Sequence, residues 1–235
     1  MKLRALVILG FCLGVVAGPA SAHSSGARAP VVVELFTSQG CAACTKSGDL
    51  MGQLAQRPHV LALTFAVDYW DYLGWSDTFA KPEFGDRQRA YLKPLGLRDV
   101  FTPQLVIDGR LQAAAVDPSA VDKLIATADH PDHHPLRIAS SHGKVSVGDG
   151  LAPHGGGTVW LVRYDPKDET VRVTKGENRG HTITEHNVVR ELVRLGDWSG
   201  RPKTYRLPKP SDDGLSDVVL VQGAHGGRIL AARAL

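Results

Sequence analysis

Cysteine is scarce in this sequence. The 235 residues contain three cysteines, and Cys12 lies in an N-terminal segment that we expect to be removed. The remaining pair, Cys41 and Cys44, is too small a set for a disulfide framework. A mature chain of about 210 residues can bury a sizeable core without such cross-links. We therefore expect the pair to serve chemistry rather than stability.

The sequence also lacks a strong excess of charge and long apolar runs beyond its N-terminus. Its formal net charge is +3, which becomes +1 once Lys2 and Arg4 are removed with the N-terminal segment. Such a balance, with the two signs interspersed, argues against a nucleic-acid partner. No later apolar run is long enough for a membrane helix, so we expect a soluble mature protein without an integral membrane segment.

Residues 1–22 have the pattern of a secretory signal peptide. Basic residues precede an apolar run from Ala5 to Ala17, and Ala20-Ser21-Ala22 forms a small-residue cleavage site. The apolar run is too short to span a bilayer comfortably, although an uncleaved anchor is the alternative. The sequence thus predicts a periplasmic or secreted protein whose mature chain begins at His23.

Hydrophobic patterning predicts an α/β domain over residues 23–128. A β-branched run at 31–36 and an apolar run at 59–67 flank a helical pattern, and a strand, a helix and a strand at this spacing make a parallel βαβ unit. Asp108-Gly109 separates two further short runs and is a strong hairpin signal. The predicted order is strand 31–36, helix 41–56, strand 59–67, helix 82–93, strands 104–107 and 111–116, and helix 118–128.

The pattern changes after residue 128. Residues 129–135 are rich in proline, histidine and aspartate and are expected to be a linker. Short apolar runs separated by turn residues follow at 158–164, 171–174 and 218–222. They predict that residues 136–235 form a small antiparallel β domain, resembling a sandwich. Periodicity leaves 186–195 as either strand or helix.

The placement of the cysteines predicts their chemistry. Cys41 follows the first strand directly, and Cys44 comes one helical turn later. Free N–H groups and the dipole at a helix N-terminus stabilise a thiolate, which is the nucleophile in disulfide exchange. We expect Cys41 to be the attacking thiol and Cys44 the resolving thiol.

The Cys-x-x-Cys after strand one and Thr102-Pro103 before strand three resemble the thioredoxin fold over residues 30–128. The resemblance implies that Pro103 is cis and catalytically important beside the cysteines, and that Thr102 helps to hold an extended substrate. Ala42-Ala43 stands where thioredoxin has Gly-Pro. Because the intervening residues tune the redox potential, the direction of electron transfer stays open.

Five motifs extend over nearly the whole mature chain: VELFTSQGC (33–41), VDYWDYLGW (67–75), QRAY (88–91), TPQ (102–104) and KGENR (175–179). With them the chain is similar to the secreted thioredoxin-like family catalogued as domain of unknown function 1223. The similarity implies the fold and export, and it names no substrate.

Several residues have two interpretations. Asp68, Tyr69, Trp70 and Trp75 could line a substrate groove or form a packed aromatic loop. Asp68 or Glu34 could assist proton transfer, although an acid at a strand end is more often only hydrogen-bonded. The KGENR motif predicts a turn of unknown meaning.

The leading hypothesis is an exported thiol–disulfide oxidoreductase that acts on a protein or small thiol substrate with a redox partner. One alternative is copper binding or delivery by the cysteine thiolates with His23 or the linker residues His130, His133 and His134. Another is a non-catalytic secreted binding protein with a structural disulfide. A zinc site would need more ligands than one cysteine pair offers, so no metal or cofactor is expected.

Overall fold

The computed structural model describes residues 29–128 and 136–235. The predicted signal peptide, His23 and the linker with its three histidines lie outside the described residues. In the part that is described, no helix is long and apolar enough to cross a membrane.

The first half of the chain has the predicted order of strands and helices. One prediction is wrong in detail, because the helix expected over 41–56 is divided into a 3₁₀ turn and α1. The elements are β1 (Val31–Thr37), a 3₁₀ turn (Ala42–Cys44), α1 (Ser47–Ala55), β2 (Val60–Ala66), a 3₁₀ turn (Asp71–Leu73), α2 (Pro82–Ala90), β3 (Gln104–Ile107), β4 (Leu111–Ala114) and α3 (Pro118–Ala128).

The second half consists of strands, including the ambiguous segment after residue 186, which is strand β10. These strands are β5 (Ile138–Ser141), β6 (Lys144–Val147), β7 (Gly157–Asp165), β8 (Glu169–Arg172), β9 (Thr182–Glu185), β10 (Val188–Trp198), β11 (Lys203–Arg206), β12 (Ser216–Gly223) and β13 (Ile229–Ala234).

One large, mostly antiparallel sheet contains strands from both halves, in the order β13-β12-β7-β10-β2-β1-β3-β4. In this sheet of the described residues, β1 and β2 are parallel, and so is the short β2–β10 contact, which pairs Thr64 with Val188. β10 pairs with the edge of β2 at Thr64, where the backbone of β2 would otherwise lack a partner. Four of the C-terminal strands therefore extend the first sheet, whereas the smaller sheets β11-β6-β5 and β8-β9 lie outside it.

Alternate residues of β1 supply two separate cores, as expected for a strand buried on both faces. Val31, Val33 and Leu35 pack with apolar residues of α1 and α3. Val32 and Phe36 point to the opposite face, where they pack with α2 and the C-terminal strands. The carboxyl end of β1 is thus held from both sides, and it leads into residues 38–44, which we call the cysteine segment.

Helix α1 lies unusually close to β9. A Cβ atom added to Gly48 would come 2.1 Å from the carbonyl oxygen of Thr184, and one added to Gly52 would come 2.7 Å from Nε2 of His186. Glycine at these positions allows the helix that follows the cysteines to touch the strand from the second half. This contact places residues of β9 next to the cysteine segment.

Candidate functional site

Cys41 and Cys44 form a disulfide, with their Cα atoms 5.3 Å apart. Both residues are buried, with 2% and 3% of their surface exposed. Cys41 is the N-cap of the 3₁₀ turn, whereas α1 begins only at Ser47. The expectation that Cys41 starts the long helix is therefore wrong, because the chain first makes this short turn around the disulfide.

The Thr102–Pro103 peptide bond is cis, as the resemblance implies. Gln104 pairs with Phe36 on β1, so Pro103 lies at the level of Thr37, at the sheet edge from which the cysteine segment leaves. Trp70 Nε1 donates a hydrogen bond to Thr102 Oγ1 at 2.8 Å. These residues of the predicted site thus lie at the same end of the sheet as the cysteines.

The other three residues of the predicted groove, Trp75, Tyr69 and Asp68, contact different parts of the protein. Trp75 faces the cysteine segment, where its Nε1 donates to Gln39 Oε1 at 3.0 Å. The Tyr69 hydroxyl instead donates to Gln88 Oε1 in α2, and burial raises the pKa of Tyr69 to about 12. Asp68 is half-buried and begins a turn in which its carbonyl accepts from the Asp71 N–H. Trp75 is thus the residue whose side chain is hydrogen-bonded to the cysteine segment.

Glu34 belongs to a separate network in the core beside α2. Its carboxylate accepts a 2.5 Å bond from Arg87 Nε and a second bond from the hydroxyl of Tyr91. Arg87 also donates to Gln222 of β12. This buried ion pair ties β1 to α2 and β12, and it gives Glu34 a structural role in place of the proton transfer considered from the sequence.

The KGENR segment is hydrogen-bonded to the backbone beside the cysteines. Asn178 is buried, and its Nδ2 donates to the backbone carbonyls of Gln39 at 2.8 Å and Cys41 at 2.9 Å. At Gly176 the same segment passes close to Leu73 and Trp75. We call residues 175–180 the cover loop. The motif was visible in the sequence, but nothing local linked it to a segment more than a hundred residues earlier.

Two buried carboxyl groups, Asp77 and Glu185, also meet the cysteine segment and were not predicted. The backbone N–H of Gln39 donates to Asp77 Oδ2 at 2.7 Å, and the Gln39 side-chain Nε2 donates to Glu185 Oε2 at 3.4 Å. Burial and the nearby charge of Asp77 raise the pKa of Glu185 to about 8. Burial also raises the pKa of Asp77, and the charge of Asp71 adds to this effect.

Within residues 29–128 and 136–235, no group of three or more histidine, cysteine, aspartate or glutamate side chains could hold a metal ion. The histidines considered for copper lie outside these ranges. The candidate site consists of the Cys41–Cys44 disulfide, the Asn178 amide that bonds to the backbone beside it, and the acids Asp77 and Glu185 that bond to Gln39.

Comparison with known proteins gives a family and a fold. A family described as "Protein of unknown function (DUF1223)" matches residues 32–222. A crystal structure of an Agrobacterium tumefaciens protein is 29% identical, with a TM-score of 0.70, covering 87% of this chain and 93% of that one. The structure of HBP35 of Porphyromonas gingivalis has a TM-score of 0.55 at 12% identity, covering 88% of this chain and 75% of that one. A comparison with curated proteins found no match.

Proposed function

The chain belongs to the DUF1223 family, whose description assigns no activity, and we propose that it is an exported thiol–disulfide oxidoreductase of thioredoxin-like fold. The observation that carries this proposal is the position of the Cys41–Cys44 disulfide. It follows the buried strand β1 after three residues and lies at the end of the sheet that also bears Thr102 and cis Pro103. A disulfide that closes so short a loop constrains the unfolded chain less than one that closes a long loop, so a role as a cross-link accounts poorly for its position.

The proposed reaction transfers two electrons from a substrate dithiol to the disulfide. A substrate thiolate attacks Sγ of Cys41, a new S–S bond forms, and the Cys41–Cys44 bond breaks with Cys44 leaving as a thiolate that takes up a proton. The second substrate thiolate then attacks the substrate sulfur of the mixed disulfide and releases Cys41 as a thiolate, which also takes up a proton. The substrate is oxidised to its disulfide and the protein is reduced to its dithiol, and the reverse reaction follows the same steps.

Export is proposed from the signal-like pattern of residues 1–22. Disulfides form and persist in oxidising compartments such as the periplasm, which is consistent with an oxidised Cys41–Cys44 pair. The partners in this proposal are a protein or small thiol substrate and a redox partner that regenerates the starting state.

Glutathione trapping tests the proposal. The Cys44→Ser variant, incubated with glutathione disulfide, should retain one glutathione on Cys41, because no resolving thiol remains. The matched Cys41→Ser variant should retain much less glutathione, and wild type that has been reduced beforehand should return to its internal disulfide. Intact-protein mass spectrometry measures all three. Equal, slow modification of both single-cysteine variants would contradict the exchange reaction.

The burial of both sulfurs favours a second candidate, a secreted binding protein with a structural disulfide. In that case, reduction under native conditions should need global unfolding, and the reduced protein should lose stability without exchanging with glutathione. The rate of reduction measured against denaturant concentration separates the two candidates, because a functional disulfide should react through a local opening that denaturant hardly affects.

A further inference from the structure

Gln39 connects the cysteine segment to two acids from distant parts of the chain. Asp77 follows the 3₁₀ turn Asp71–Leu73, and Glu185 ends β9. They are 7% and 3% exposed. The two carboxyl groups bind different N–H groups of the same Gln39, so they converge on one residue, two positions before Cys41.

The surroundings of this pair do not neutralise two negative charges. Arg190 of β10 is the cation that faces Glu185, but its guanidinium already pairs with Glu169 and lies over the ring of Phe79. The Nζ of Lys81 donates to the backbone carbonyl of Arg190. Asp71 and Glu169 add further negative charge around the two acids.

Two ionised carboxylates at one buried site repel each other, and burial penalises each of their charges. Such a pair gives up its protons in two well-separated steps that belong to the pair rather than to either residue. The raised pKa of both acids, with about 8 for Glu185, agrees with this geometric argument. Around neutral pH the pair then holds one proton and one negative charge.

We propose that Asp77 and Glu185 are a coupled acid pair that positions the cysteine segment through Gln39 and makes thiolate formation on Cys41 dependent on the pair's charge. This inference rests on the proposed function. While the pair holds one proton, a thiolate on Cys41 meets one buried negative charge; when that proton leaves, it meets two. The Asn178 bonds to Gln39 and Cys41 oppose a movement of the cysteine segment away from the added charge.

The test is the rate at which iodoacetamide alkylates reduced Cys41 between pH 5 and pH 10, in a background with Cys44→Ser. The wild-type pair should broaden the profile beyond that of a single titrating thiol. In Glu185→Gln the pH profile should become that of a single titrating thiol, and Cys41 should be alkylated about threefold faster near pH 8.5. This factor is expected if ionisation of the pair raises the pKa of the Cys41 thiol by about one unit. Asp77→Asn should also narrow the profile.

Glu83→Gln is the matched control, because it makes the same chemical change at an exposed position on α2. Its profile should stay broad. If a variant at the pair fails to fold, carbon-13 NMR of the wild-type glutamate carboxyls supplies a second test, and one buried carboxyl should titrate well above the ordinary glutamate range in the oxidised protein.

The outcomes separate this inference from the proposed function. Two results would overturn the inference even if Cys41 still exchanges with glutathione. One is that the pH profile of the alkylation rate stays broad in both Glu185→Gln and Asp77→Asn. The other is that no glutamate carboxyl of the wild type titrates above the ordinary glutamate range. Failure of the wild type to exchange with glutathione would instead overturn the proposed function, while comparing the NMR titration of Glu185 in the wild type and in Asp77→Asn would still decide whether the two acids are coupled.

Discussion

Replacing Asn178 with alanine should expose the disulfide to small reductants. The Asn178 side chain donates two buried hydrogen bonds, to the carbonyls of Gln39 and Cys41, and these join the cover loop to the cysteine segment. The Cys41 carbonyl keeps a second donor, the N–H of Cys44 at 3.0 Å. Truncation therefore removes the connection that the cover loop makes to this segment without removing the turn itself.

The size of the effect follows from those two bonds. A buried hydrogen bond contributes a net of about 0.5–1.5 kcal/mol, so their loss should favour local opening of the cover loop by about 2 kcal/mol. That free energy corresponds to an open population roughly 25-fold larger. Because both sulfurs are nearly inaccessible in the closed state, the rate of reduction should increase by a similar factor if it proceeds through this opening.

The assay is reduction by a small phosphine under native conditions, quenched by alkylation and measured by mass spectrometry. Arg179→Ala is the matched control, because Arg179 is the exposed neighbour of Asn178 in the same loop. A urea titration of each variant shows whether global stability has changed. A folded Asn178→Ala protein that is reduced at the wild-type rate would refute the conclusion that this loop limits access to the disulfide.

Two further predictions concern stability. The pKa of Glu185 is ordinarily near 4.5 and is raised to about 8 in the folded protein, so the folded protein holds a proton that the unfolded chain releases. The unfolding free energy of the wild type minus that of Glu185→Gln, measured in urea titrations, should therefore fall as the pH rises from 5 to 8. A rise in this difference would contradict the prediction. Gly48→Ala should lower the unfolding free energy by about 1–3 kcal/mol, because the new methyl group would clash with the Thr184 carbonyl oxygen. Gly214→Ala should leave the unfolding free energy nearly unchanged, because the nearest atom to its new methyl group would be 3.5 Å away.

The local patterns of the first half predicted its elements well. The run beginning at Val31 is strongly β-branched and apolar, and it forms β1. The strand expected over 104–107 is β3, and Asp108-Gly109 does join it to β4. In each case neighbouring residues determine the conformation, through side-chain alternation or through backbone angles that glycine and aspartate allow.

The second half was harder to predict because its strands could pair in several ways. The composition indicated short antiparallel strands, but it did not indicate that β10 would pair with β2 and continue the first sheet. That choice depends on an edge strand left open by the fold of the first half. Periodicity within a strand carries no information about such a distant partner.

The sequence by itself determined the cysteine pair, its position after β1, the Thr102–Pro103 step and the βαβ order, because each depends on residues close together in the chain. Only the tertiary structure decided what surrounds the pair. Asn178 is 137 residues from Cys41, and Glu185 is 146 residues from Gln39. Their contacts arise because β10 joins β2 and β9 packs on α1, and such long-range packing is set by the whole core rather than by any local pattern.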